Sequence, residues 1–197
     1  MENFLDHLAS VLLVFSNPVT VFSLFLLGFF YYDKTTWGVA ILLACFSMVL
    51  NPALKAFFGL PRPMDLPGFG FPSGHFQGSM CFYGWLFTRI PKTWVRIALT
   101  GILAATGFAL VQKGYHYPRD IAGAFISGSL VVILAHVMLA REKYKQTPQA
   151  LGYFLILLSA APLLYLIYQD RIPKHTILGL SLLCAITWLW NRRKTLV

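Results

Sequence analysis

Residues 37–57 read WGVAILLACFSMVLNPALKAF, and this stretch decides the fold. No side chain from Trp37 to Leu54 carries a charge. An apolar run of about 20 residues, wound as a helix, matches the hydrocarbon thickness of a bilayer. The first charge, Lys55, arrives at the far end, and Gly59 and Pro61 follow as helix stops. Comparable apolar runs occupy 19–32, 74–90, 94–113, 119–140, 150–168 and 175–190. Only helices span a bilayer with this pattern, because every backbone polar group must be satisfied inside its own segment. The reading is an all-α, multi-pass transmembrane bundle of about six to seven spans, forming one integral-membrane domain over residues 1–197. Ahead of it, residues 3–16 (NFLDHLASVLLVFS) predict an amphipathic interfacial helix ended by Asn17-Pro18.

Composition agrees. Of 197 residues, 57% are hydrophobic and 12% charged, and mean hydropathy is +0.66. Those values exclude a disordered chain, a disulfide scaffold and an ordinary cytosolic domain. The net charge of +9 fits cytoplasmic loops against anionic headgroups better than nucleic acid, since no Lys/Arg run lies in a soluble segment. Cys45, Cys81 and Cys184 fall in apolar runs without metal-ligand spacing and read as buried small hydrophobes. Glu2 and Asp6 in place of early basic residues argue against a cleavable signal peptide.

Orientation follows from the basic residues. With the loop 58–73 facing outward, Lys34, Arg89, Lys92, Arg96, Arg141, Lys143, Lys145, Arg192, Arg193 and Lys194 face inward. Six remain outside: Lys55, Arg62, Lys113, Arg119, Arg171 and Lys174. The positive-inside rule therefore puts loops 58–73 and 114–119 outside and the C-terminus inside.

Polar residues in membrane spans are costly, so their positions carry information. Three clusters gather at the outer helix ends. In the first, Lys55 stands one turn before a helix end and Arg62-Pro63 follows in the loop; both cations would also serve as snorkelling anchors. The second, Pro72-Ser73-Gly74-His75, opens a helix: Ser73 suits the N-cap, and Gly74 lets an anion approach free backbone N–H groups. The third is His116-Tyr117-Pro118-Arg119-Asp120, with Pro118 at a first helical position. Asp120 favours the helix dipole there and can also reach back to His116. A carboxylate that holds an imidazole fixes its tautomer and improves the other nitrogen as nucleophile or base. Together the clusters supply the kit for phosphoryl transfer through a covalent histidine. His7, His136 and His175 are weaker candidates, read as interfacial or far from the site.

These clusters resemble the three signature motifs of the type 2 phosphatidic acid phosphatase family, across about residues 45–135. Lys55 through Arg62-Pro63 fits the first motif and Pro72-Ser73-Gly74-His75 the second. In the third, His116 and Asp120 match, but Ala109-Leu110 stands where the family carries Ser-Arg. The resemblance implies a metal- and cofactor-independent lipid phosphatase in a bacterial plasma membrane, its site facing the exterior. His116 would be the nucleophile, Asp120 its holder and His75 the acid. Lys55, Arg62, Ser73 and the Gly74 amide would grip phosphate. Undecaprenyl diphosphate leads the implied substrates, with phosphatidylglycerophosphate, phosphatidic acid and lipid A phosphates beside it. The partners are that lipid and the bilayer, with no nucleic acid. A lipid-to-lipid phosphotransferase would use the same intermediate, and a lipid-binding relative without turnover would keep the same fold. For the missing arginine, Lys113 lies one turn after Leu110 on roughly the same helical face and is expected to supply the cation; Arg119 is the other candidate.

The topology has a direct check. A Cys introduced at Leu66 should react with a membrane-impermeant thiol reagent in intact cells, and one at Lys143 only after permeabilisation. The reverse pattern would turn the chain over in the membrane.

Overall fold

The computed structural model describes residues 2–140 and 148–192. The inward basic residues Arg141, Lys143, Lys145, Arg193 and Lys194 lie outside the described residues. Helix α1 (Glu2–Leu12) runs into a 3-10 turn (Leu13–Ser16). It is followed by α2 (Pro18–Tyr31), α3 (Lys34–Phe58), α4 (Gly74–Arg89), α5 (Thr93–Gln112) and α6 (Pro118–Ala140). Helices α7 (Pro148–Leu158), α8 (Ala160–Tyr168) and α9 (Lys174–Arg192) complete the order. Among the described residues there is no β-strand, only one isolated bridge between Pro61 and Phe69.

Caps set the helix ends. Asn17 accepts the Val19 N–H at 2.9 Å, with Pro18 at the first position of α2. Asp33 accepts the N–H groups of Thr35 and Thr36, so α3 starts three residues before the uncharged run. Gly59 ends α3 in the left-handed conformation that glycine adopts without steric cost.

Helix α3 is the axis of the bundle. In its most apolar window, 72% of residues are buried inside the protein, against 28% for α5, α6 and the α7–α8 pair. It packs against α2, α4, α8 and α9. Val39, Ala40, Leu42 and Leu43 have no exposed surface, and Cys81, Phe82, Trp85 and Leu86 of α4 join them in the core. In a bilayer the lipid tails remove the hydrophobic drive between helices, so close packing at small residues has to hold them together. Gly179 of α9 does this: a Cβ there would stand 2.6 Å from Met48 Cβ and 2.9 Å from the Cys45 carbonyl oxygen.

Among the described residues, four helical stretches are long and apolar enough to cross a membrane: α3, α5, α6, and Gln149–Tyr168 taken through α7 and α8. Phe4–Ser16 with α2, bent by 47°, makes a fifth as one broken span or a re-entrant loop. The sequence runs at 74–90 and 175–190 account for the larger count of about six to seven. Helix α4 is 16 residues, about 24 Å long, and α9 carries charge at both ends. The single run 150–168 breaks at Ser159, where Pro162 denies the α-helix a backbone donor. Cys184, expected inside, is exposed. Leu183 and Thr187 face inward one turn apart, and a neighbouring residue is rotated by about 100°.

Gly179→Val should lower the unfolding midpoint in detergent, at a cost on the order of 1–3 kcal/mol, because the α3–α9 contact leaves no room for it. Cys184→Val, on the exposed side of the same helix, should leave the midpoint unchanged.

Candidate active site

The end of α3 and the loop behind it pin two cations to one acceptor. Lys55 Nζ donates to the Phe69 carbonyl at 3.0 Å, and Arg62 Nε donates to the same oxygen at 3.3 Å. The loop is folded back for this by the Gly70 N–H, which donates to the Leu60 carbonyl at 2.7 Å. An ammonium has three donors and a guanidinium five, so each cation keeps donors to spare.

The start of α4 is anchored from α3. Asn51 Nδ2 donates to the Pro72 carbonyl at 3.1 Å and to Gln77 Oε1 at 2.8 Å. A Cβ on Gly74 would come within 2.9 Å of Asn51 Oδ1. Ser73 takes the N-cap position, but its hydroxyl does not cap the helix, contrary to expectation. Its carbonyl already receives the Gln77 N–H, its N–H donates to the Asp120 carbonyl at 3.1 Å, and its Oγ is buried without a partner among the described residues. A buried hydroxyl in that condition is costly unless something else bonds it. His75 projects from the first turn and stays exposed.

His116 and Asp120 form a buried pair, 4% and 0% exposed. His116 Nδ1–H donates to Asp120 Oδ2 at 3.3 Å, and the Tyr117 N–H donates to the same oxygen at 2.9 Å. This leaves His116 Nε2 with its lone pair. Arg119 is closer than helical geometry suggested: its Nε lies 3.8 Å from Asp120 Oδ1 and its guanidinium 4.7 Å above the Tyr117 ring. Burial, reinforced by the Lys55 and Arg62 charges, outweighs the Asp120 bond and holds the His116 pKa down to about 4.

A cavity of about 390 Å³ opens beside Arg62, His75 and His116, with Lys55, Ser73, Gly74 and Asp120 outside its lining. Arg62, His75 and His116 supply its polar wall, and Leu13, Leu66 and Leu110 its apolar one, with Ser16, Asn17 and Tyr115 completing the lining. Leu110 packs with Phe76 and Ala124, against Leu13 and Ile121. Its carbonyl accepts the N–H groups of both Tyr115 (3.1 Å) and His116 (3.3 Å).

Lys113 does not line the cavity. Its ammonium sits 2.6 Å from the Asp6 carboxylate of α1, so the cation expected to replace the arginine is engaged elsewhere. Two weaker candidates separate in space. His136 pairs with Thr88 at 2.8 Å and lies 4.7 Å from the Trp85 ring, towards the opposite end of the bundle. His175 opens α9 within electrostatic range of Lys55 and His75. Asn51 went unread in the sequence, and Arg171, whose guanidinium lies 5.3 Å from the Phe69 ring, was read only as an outward loop cation. For Asn51 the signal was there: an amide deep in an apolar run. Among the described residues, no group of three or more His, Cys, Asp or Glu side chains gathers as a metal-ligand set.

Comparison with known proteins adds to this geometry. Residues 36–144 match the PAP2 superfamily, a stretch that holds all three clusters. Phosphatidylglycerophosphatase B of Bacillus subtilis (strain 168) is 32% identical over 123 residues, covering 54% of this chain and 60% of that protein. The chain thus matches less than two thirds of the length of this curated relative. No solved structure matches the chain.

The pair makes a spectroscopic prediction. With ¹⁵N-labelled histidine in detergent, the His116 ring should stay neutral at pH 6 and gain its proton near pH 4. Asp120 raises that midpoint through its bond and its charge, so Asp120→Asn should move it lower still. A midpoint near the ordinary value of about 6.5 would mean the ring is not held as described.

Proposed function

The chain belongs to the PAP2 superfamily, and we propose that it removes phosphate from a membrane lipid phosphate or diphosphate through a covalent intermediate on His116. One observation carries the reading. A buried imidazole, oriented by a buried carboxylate and neutral by virtue of its surroundings, lines a cavity that also holds Arg62 and His75. The apolar half of that cavity suits a lipid better than a soluble sugar phosphate. The name of the Bacillus relative points to phosphatidylglycerophosphate. Undecaprenyl diphosphate, phosphatidic acid and lipid A phosphates present the same chemistry.

In this reading His116 Nε2 attacks phosphorus as the bond to the leaving oxygen breaks, and His75 gives that oxygen its proton. Asp120 keeps the His116 proton on Nδ1 and stabilises the positive charge that develops on the ring. The spare donors of Lys55 and Arg62, the Ser73 hydroxyl and the Gly74 amide hold the phosphoryl oxygens. They neutralise charge that builds in the transition state, without a metal. His75, now the base, then deprotonates a water that attacks the phosphohistidine. Inorganic phosphate leaves, and both histidines return to their first state. The positive-inside count of basic residues supports an exterior-facing site in a bacterial plasma membrane.

The test is phosphate release from a panel of these lipids in detergent, with the lipid products identified by mass spectrometry. Wild type should release inorganic phosphate in EDTA and be inhibited by vanadate. His116→Ala should abolish turnover, and Asp120→Asn should reduce it on the order of 10⁴-fold, as a mis-set tautomer does in serine proteases. Near-normal turnover in His116→Ala would overturn the covalent mechanism. Phosphate found on a second lipid instead of in water would make the protein a phosphotransferase.

A further inference from the structure

Three of the residues around the cavity, Leu13, Ser16 and Asn17, come from the N-terminal segment, outside the stretch that matches the superfamily. That segment is fastened in three places. The Leu13 side chain packs against the Phe76, Leu110 and Ala124 cluster. The Phe15 carbonyl accepts a 2.7 Å hydrogen bond from the hydroxyl of Tyr83, which is 1% exposed. Ahead of the turn, Asp6 meets Lys113 at 2.6 Å, and α1 packs along α5. Lys113 is the C-cap of α5 and stands three residues before His116. The ion pair therefore ties the N-terminal segment to the loop that carries the imidazole.

The polar groups of the segment are partly committed. Ser16 Oγ donates to the Leu13 carbonyl at 2.9 Å, so its proton is used. Asn17 Oδ1 caps α2 by accepting the Val19 N–H, which leaves the two amide donors of the same side chain. Those donors belong to an exposed residue in the cavity wall facing the histidines.

We propose that Leu13–Asn17 is the headgroup wall of this site, that Asn17 donates from its amide to an oxygen of the substrate headgroup, and that Asp6 and Lys113 are positioning residues that hold the wall in place. This rests on the phosphatase reading for its substrate. It gives Lys113 a role without contact to phosphate. The cation acts through Asp6, and the place of the missing arginine is filled by apolar packing of Leu110 against Leu13.

The wall contacts the substrate before and during reaction alike, so its loss should appear in KM and leave kcat nearly unchanged. Asp6→Ala and Lys113→Ala should each raise KM by about three- to fivefold, the scale of a solvent-accessible ion pair. Charge reversal, Asp6→Lys with Lys113→Asp, should restore KM to near wild type. Asn17→Ser keeps a capping oxygen but loses the amide donors, and should raise KM about tenfold. A second readout needs no turnover. In a Cys184→Ser background, Leu13→Cys should react several-fold faster with a small methanethiosulfonate once Asp6→Ala is added, and slow again in the charge-reversed pair. Lys113→Ala lowering kcat while Asp6→Ala changes nothing would assign Lys113 to the phosphate and overturn the clamp. Unchanged labelling of Leu13→Cys, or failure of charge reversal to rescue, would overturn it as well. An unaltered KM in Asn17→Ser would remove the headgroup contact. If labelling responds as expected but no lipid is hydrolysed, the clamp stands and the phosphatase reading fails.

Discussion

A carboxylate with no exposed surface must find its donors inside the protein, and Asp120 finds them in ways that join three segments. One oxygen takes the His116 ring N–H and the Tyr117 backbone N–H, which closes the loop onto the start of α6. The backbone carbonyl of the same residue takes the Ser73 N–H, which docks the start of α4 beside it. The second oxygen has Arg119 at 3.8 Å and no hydrogen-bond partner among the described residues. Losing this residue would therefore cost more than a tautomer. It would also open the loop from His116 onto the start of α6, whereas the junction of α4 with α6, made through the backbone carbonyl of residue 120, would remain.

That junction sits on a bundle built around α3. From Trp37 to Leu50 the helix is apolar apart from Ser47, because lipid and neighbouring helices surround it, and it turns polar again in its last turns. Asn51 and Lys55 are those turns. One organises the α4 entry and the other the loop carbonyl shared with Arg62. A single rigid element thus positions both the cationic side of the cavity and the helix start opposite it, consistent with a site whose parts need to be held within fractions of an ångström.

Much of this was legible in the sequence, for reasons that differ from residue to residue. Helix positions were readable because a bilayer demands long apolar runs, although the caps Asn17 and Asp33 that set the starts of α2 and α3 went unread. Lys55, Arg62, His75, His116 and Asp120 stood out because charge and imidazole are rare in such a chain. The partner of Lys113 was not readable. Helical spacing placed the lysine on the Leu110 face, but Asp6 reaches it only through the packing of α1 on α5, which no local pattern encodes. The same holds for Arg171, brought to Phe69 from a distant loop. Ser73 failed in another way: its position was right, but its buried hydroxyl does not cap the helix and has no partner among the described residues.

The double hydrogen bond onto the Leu110 carbonyl separates two jobs that share one position. Main chain at residue 110 shapes the turn that presents His116; side chain at residue 110 lines the cavity. Because the first job uses no side-chain atom, the second can change its chemistry from charged to apolar without shifting the imidazole. Position 110 is thus a dial on what the cavity accepts, mounted on a part of the frame that does not turn with it.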